Sequence, residues 1–116
     1  MSRRMRDRAS EHWPTLSRIL GGYFHQDYAV VDGSVEGALA KAITDAPLGH
    51  KQMLLKEWWD WNQSEGRVYD IRRWLGDGFG VDLHFGKPID ARNFMNRIYD
   101  GFIQSVRQEA GKDWKP

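Results

Sequence analysis

Trp13-Pro14-Thr15-Leu16-Ser17-Arg18-Ile19-Leu20-Gly21-Gly22-Tyr23-Phe24-His25-Gln26-Asp27 is the stretch on which the reading of this chain turns. Pro14 suits the first turn of a helix, where a missing N–H costs nothing. Leu16, Ile19, Leu20, Tyr23 and Phe24 then recur at i, i+3, i+4, i+7 and i+8, one apolar stripe that must face a core. Gly21 and Gly22 each cost about 1 kcal/mol relative to alanine inside a helix. Close approach of a neighbouring backbone is the expected compensation. His25 and Asp27 stand where the stripe gives out, and they admit two readings. As chemistry they form a proton-handling pair. As structure, His25 sits at the negative end of the helix dipole while Asp27 bonds turn amides or caps a neighbouring helix.

The same periodicity extends outward. Asp32-Gly33-Ser34 signals a turn, and Ser34 is placed to cap a second helix whose stripe is Val35, Ala38, Leu39, Ala42 and Ile43. Pro47 opens a third helix running to about Asn62, with Met53, Leu54, Trp58 and Trp61 on one broad face and Leu55 and Trp59 on its flank. A shorter helix after Ser64-Glu65-Gly66 points Val68, Ile71, Trp74 and Leu75 inward and Tyr69 outward, until Gly76, Gly78 and Gly80 break it. Residues 79–88 alternate in polarity but carry glycines, so they read as a Gly-rich loop or small hairpin. Asp90 can cap the last helix. There Phe94, Met95, Ile98, Tyr99, Phe102 and Val106 face inward, while Arg92, Asn96, Arg97, Asp100, Gln104 and Arg107 face out and Gly111 terminates it. The expected fold is all-α, a compact bundle of about five helices.

At 116 residues the chain has room for one core, placed here over residues 13–116. No apolar run is long enough to cross a bilayer and no signal-peptide pattern is present, which predicts a soluble, cytoplasmic protein. Cysteine is absent, excluding disulfides, thiol nucleophiles and Cys-ligated metals. The net charge of +1 is uneven. Arg3, Arg4, Arg6 and Arg8 stand against Asp7 at the start, while the remaining 108 residues hold thirteen cations and fifteen anions. Residues 1–12 therefore read as a basic, flexible arm, either a solvated terminus or a strand of charge for a phosphate backbone.

Catalytic and cofactor patterns are sparse. His12, His25, His50 and His84 show no spacing that puts two ligands on one helical face, so no metal is expected. Two residues apart, His25 and Asp27 point in different directions in a continuing helix and meet only if the helix ends there. Gly76-Asp77-Gly78-Phe79-Gly80 lacks the lysine and the strand–helix setting of a phosphate loop, so neither a cofactor nor a small-molecule substrate is expected. Six tryptophans are many for this length, and at helical spacing such residues fill a core. Trp59, Asp60, Glu65, Tyr69 and Asp70 are different, because exposed aromatics beside acids can anchor a protein partner. Interface and plain surface both remain open for them.

Leu16 through Tyr28, containing Tyr23-Phe24-His25-Gln26-Asp27, resembles the opening of a family of small helical immunity proteins from bacterial contact-dependent growth inhibition systems. In that family a leucine-rich helix ends in this string, followed by an acid- or glycine-containing turn and a helix like Val35 to Ile43. The resemblance implies a binding protein and no enzyme. Its partner would be the C-terminal toxin domain, commonly a nuclease, that a neighbouring cell delivers on a large surface exoprotein. Asp27, Asp32, Glu36, Trp59, Asp60, Glu65, Tyr69 and Asp70 are the candidate toxin-binding residues, with Tyr23, Phe24 and His25 as scaffold. Two other classes compete. A nucleic-acid-binding module would use the arginine arm with Arg92, Arg97 and Arg107. A small hydrolase would bring His25 and Asp27 together in a pocket.

Overall fold

Leu16, Ile19 and Leu20 place the stripe of the quoted stretch against the core, on a helix that runs from Pro14 to Tyr23 in the computed structural model, which describes residues 2–25 and 34–116. Pro14 occupies the first turn. The helix stops before His25: the Phe24 amide still donates to the Leu20 carbonyl at 3.1 Å, and the Phe24 carbonyl accepts from the Asp82 amide at 2.7 Å. Phe24 is fully buried, edge-on to Phe94 with ring centroids 5.1 Å apart. Gly21 is where the backbone approaches, since a Cβ there would lie 3.0 Å from the Phe79 carbonyl oxygen. Gly22 faces open space, so the expectation holds for one of the two glycines.

Residues 1–12, expected as a flexible arm, are helical from Ser2 to His12. The reason lies in continuity with Trp13. Met5, Ala9 and Trp13 recur every fourth residue, and the Trp13 amide donates to the Ala9 carbonyl at 2.9 Å. Ala9 is fully buried, Met5 packs against the core, and Trp13 is edge-on to Trp74 at 5.7 Å. We name this helix α1 and Pro14–Tyr23 α2.

Helix α3, Val35–Asp45, begins as expected, with the Ser34 hydroxyl accepting from the Gly37 amide at 3.0 Å. Ala38, Leu39 and Ala42 are buried. Helix α4 spans Leu48–Gln63, with Pro47 one residue outside it as the N-cap. Its buried line is Lys51, Leu54, Leu55, Trp58 and Trp61, joined by Glu57. Leu55 therefore belongs to the core and Met53 to the surface, reversing their expected places. At about 100° per residue, Met53 sits roughly 120° from the centre of that line.

The greatest departure follows Ser64. Glu65–Arg67 forms only a 3-10 turn, and the chain then extends past an exposed Val68 that was expected to be buried. Arg92 holds this path: its Nη2 donates to the carbonyls of Gly66 and Val68 and its Nη1 to the Asn62 side chain at 2.7 Å, pinning the extended segment to α4 and the last helix. Helical structure resumes at Arg72, whose amide donates to the Asp70 carboxylate at 3.0 Å. It passes through Gly76 in a π-helical turn, Trp74–Gly78, closed by the Phe79 amide on the Trp74 carbonyl at 2.9 Å. Ile71, Trp74 and Leu75 are buried as expected.

Residues 79–87 form a loop, and no strand occurs among the described residues. Its alternation is real nonetheless, with Phe79 and Val81 buried and Asp82 and His84 exposed. Helix α5, Pro88–Ala110, starts three residues earlier than a capping Asp90 requires. Asp90 instead reaches back to accept from the Lys87 amide at 3.2 Å. Phe94, Met95, Ile98, Phe102 and Val106 are buried, and Gly111, at φ +112°, ends the helix. The structure is an all-α bundle in which α4 packs between α2 and α5. One apolar cluster runs from Ala9 to Val106. Among the described residues no helix is long and apolar enough to cross a membrane.

Candidate functional site

Adjacent residues of α4 leave the core in different directions. Asp60 turns toward α2, where its carboxylate accepts from the Trp13 indole N–H at 2.8 Å. Glu57, one turn earlier on that side, accepts from the Leu16 amide at 2.8 Å. Burial pushes the Glu57 carboxyl above its ordinary pKa, opposed by the hydrogen bonds from Leu16 and Thr15. Trp59, 47% exposed, lies on the α5 flank and lines a cleft with Tyr99, Arg107, Lys115 and Pro116.

Each described acid of the candidate set has a partner inside the fold. Glu65 pairs with Arg8 at 2.7 Å, and that guanidinium also lies over the Trp74 ring. Asp70 receives Arg72 at 2.8 Å, and these bonds hold its carboxyl below the usual carboxylate range. The same Arg72 reaches the Phe85 and Gly86 carbonyls, fastening the segment around Tyr69 to the loop before α5. Glu36 on α3 pairs with Arg97 on α5. Tyr69 is 86% exposed. Asp27 and Asp32 lie outside the described residues.

The fold thus joins the candidates in groups. Asp60 and Glu65 look toward α1 and α2, Tyr69 and Asp70 border the loop beside Val68, Trp59 faces the far end of α5, and Glu36 bridges α3 to α5. Arg92, read from the sequence only as an outward arginine, and Lys51, which the pattern did not single out, tie these groups together. Arg92 links α4, the 3-10 turn and α5, and Lys51, buried on α4, binds Ser105 at 2.9 Å and Glu109 at 2.6 Å. A long-range partner leaves no local signal in sequence, although a cation within an apolar line, as at Lys51, does mark one.

Four of the arginines that would serve a phosphate backbone are engaged within the chain: Arg8 with Glu65, Arg92 with two carbonyls, Arg97 with Glu36, and Arg107 with the Trp114 carbonyl at 3.1 Å. Tyr23 and Phe24 do scaffold work. The Tyr23 hydroxyl donates to Asp45 at 2.7 Å, lowering that carboxyl's pKa and tying α2 to α3. His25 is half-buried at the end of α2, and its hydrolase partner Asp27 lies outside the described residues. Among the described residues no group of three or more His, Asp or Glu side chains could hold a metal ion.

The family model described as CdiI immunity protein matches residues 12–102, which takes in α2 to α4 and most of α5. The chain belongs to the CdiI immunity protein family. No match occurs among curated proteins or among solved structures. As a CdiI immunity protein, the chain has its family's role in neutralising a toxin of contact-dependent growth inhibition. The match leaves residues 1–11 and 103–116 outside it.

Proposed function

We propose that this CdiI immunity protein acts in the cytoplasm, binding the C-terminal toxin domain of its cognate exoprotein, a nuclease, and neutralising it by occupying the surface that the substrate needs. The family match over residues 12–102 carries the reading. Two exposed aromatics, Trp59 and Tyr69, supply anchors of the kind that dominate interfaces, and a standard interface of about 800 Å² per partner needs only a few. Asp27, Asp32, Glu36, Asp60, Glu65 and Asp70 surround them as the acids offered to a basic substrate cleft.

Internal pairing tempers that electrostatics. Glu36, Glu65 and Asp70 each share charge with an arginine, so the acids steer and orient the toxin more than they capture it by net field. Neutralisation is then binding without turnover. Co-expression with the toxin domain encoded immediately upstream tests the reading. Cells carrying both are expected to grow, while Trp59→Ala/Tyr69→Ala lowers protection without lowering the melting temperature. Killing that continues beside a well-folded wild-type protein contradicts it.

A further inference from the structure

The cleft beside Trp59 has a composition that the acidic candidates do not explain. It measures about 270 Å³ and is lined by Trp59, Tyr99, Arg107, Lys115 and Pro116, two aromatic rings and two cations. Tyr99 is braced from behind by Trp58, with ring centroids 4.6 Å apart. Arg107 is anchored through its Nε on the Trp114 carbonyl, and the Trp114 amide returns to the Gly111 carbonyl at 3.2 Å. The guanidinium is therefore oriented before any ligand arrives. Among the described residues, neither Arg107 nor Lys115 has a carboxylate at ion-pair distance, whereas Arg8, Arg72, Arg73 and Arg97 each do. An oriented guanidinium, a second cation and an exposed indole suit a carboxylate carried beside an apolar side chain.

We propose that the cleft seats an acidic segment of the cognate toxin domain, with a carboxylate on Arg107 and Lys115 and the neighbouring side chain against Trp59. This rests on the immunity reading above.

Calorimetric titration of the purified protein with the purified toxin domain tests the inference, using Arg107→Glu/Lys115→Glu, Trp59→Ala and the charge-preserving Arg107→Lys/Lys115→Arg. Charge reversal is expected to weaken binding by at least about tenfold and to flatten its salt dependence, with Trp59→Ala weakening it comparably and the charge-preserving pair retaining most of the affinity. Wild-type binding that all three variants share unchanged overturns the cleft and leaves the immunity reading standing. No binding by folded wild-type protein overturns both. If charge reversal impairs folding, Lys115→benzoylphenylalanine in the complex decides: photocapture of an acid-rich toxin segment supports the proposal. Capture of another toxin surface, of a second copy, or of nothing overturns it.

Discussion

Glu57 does for α2 what Trp13, the residue before the helix, has no side-chain oxygen to do: it accepts a first-turn amide, that of Leu16. Because α4 supplies the acceptor, one carboxylate couples a helix start to its packing partner. Glu57→Ala would strand a buried N–H and is expected to cost about 1–3 kcal/mol in a denaturant titration. Glu57→Gln keeps an acceptor and isolates the charge. Burial holds the folded pKa of Glu57 above its unfolded value, so folding takes up a proton between the two. The wild type then loses stability relative to Glu57→Gln as pH rises through that mildly acidic window, and the difference levels off above the folded pKa. Melting temperatures of the pair across the window check the sign. A gap that widens in favour of the wild type as pH rises contradicts it.

Gly21 and Gly22 show how an element's neighbours override its propensity. Gly22→Ala enters open space and is expected to raise stability by about 0.5–1 kcal/mol, the gain alanine brings to a helix. Gly21→Ala brings the same gain but presses on the Phe79 carbonyl at 3.0 Å and is expected to lower stability by about 1–2 kcal/mol. Chemical denaturation of the two variants measures the contrast, and equal gains would deny the close approach. Helices α2, α3 and α5 were legible because their stripes recur at helical spacing and a boundary of each is marked, by Pro14, Ser34 and Gly111 respectively. On α4 the stripe was ambiguous, since Met53 and Leu55 flank Leu54 symmetrically and only packing chooses between them. In residues 64–78 the burial of Ile71, Trp74 and Leu75 was legible but the backbone path was not. Arg92 pins the carbonyls of Gly66 and Val68 from across the fold, and the π-helical turn carries the chain through Gly76.

At the scale of the whole molecule, α1 covers the aromatic cluster of Trp13, Trp74 and Phe79 with a helix whose apolar content is little more than Met5 and Ala9. So polar a helix was not legible as structure, because its docking depends on Trp13 and on the Arg8 contacts. Removing residues 1–11 is expected to lower the melting temperature by about 10 °C, the equivalent of roughly 2 kcal/mol in a chain of this size. An unchanged melt would mean that α1 contributes nothing to the core. The candidate surface was legible in its aromatics, since Trp59 and Tyr69 are exposed as expected, although Tyr69 stands in a non-helical segment and not on the expected helix. It was not legible in its acids, whose partners Arg8, Trp13, Arg72 and Arg97 mostly lie far along the chain. Neutralisation by binding remains the central claim, and titrating the purified toxin domain's activity with the purified protein tests it most directly. Activity is expected to fall in proportion to added protein and to vanish at equimolar ratio. Activity that persists with folded protein in excess contradicts the account.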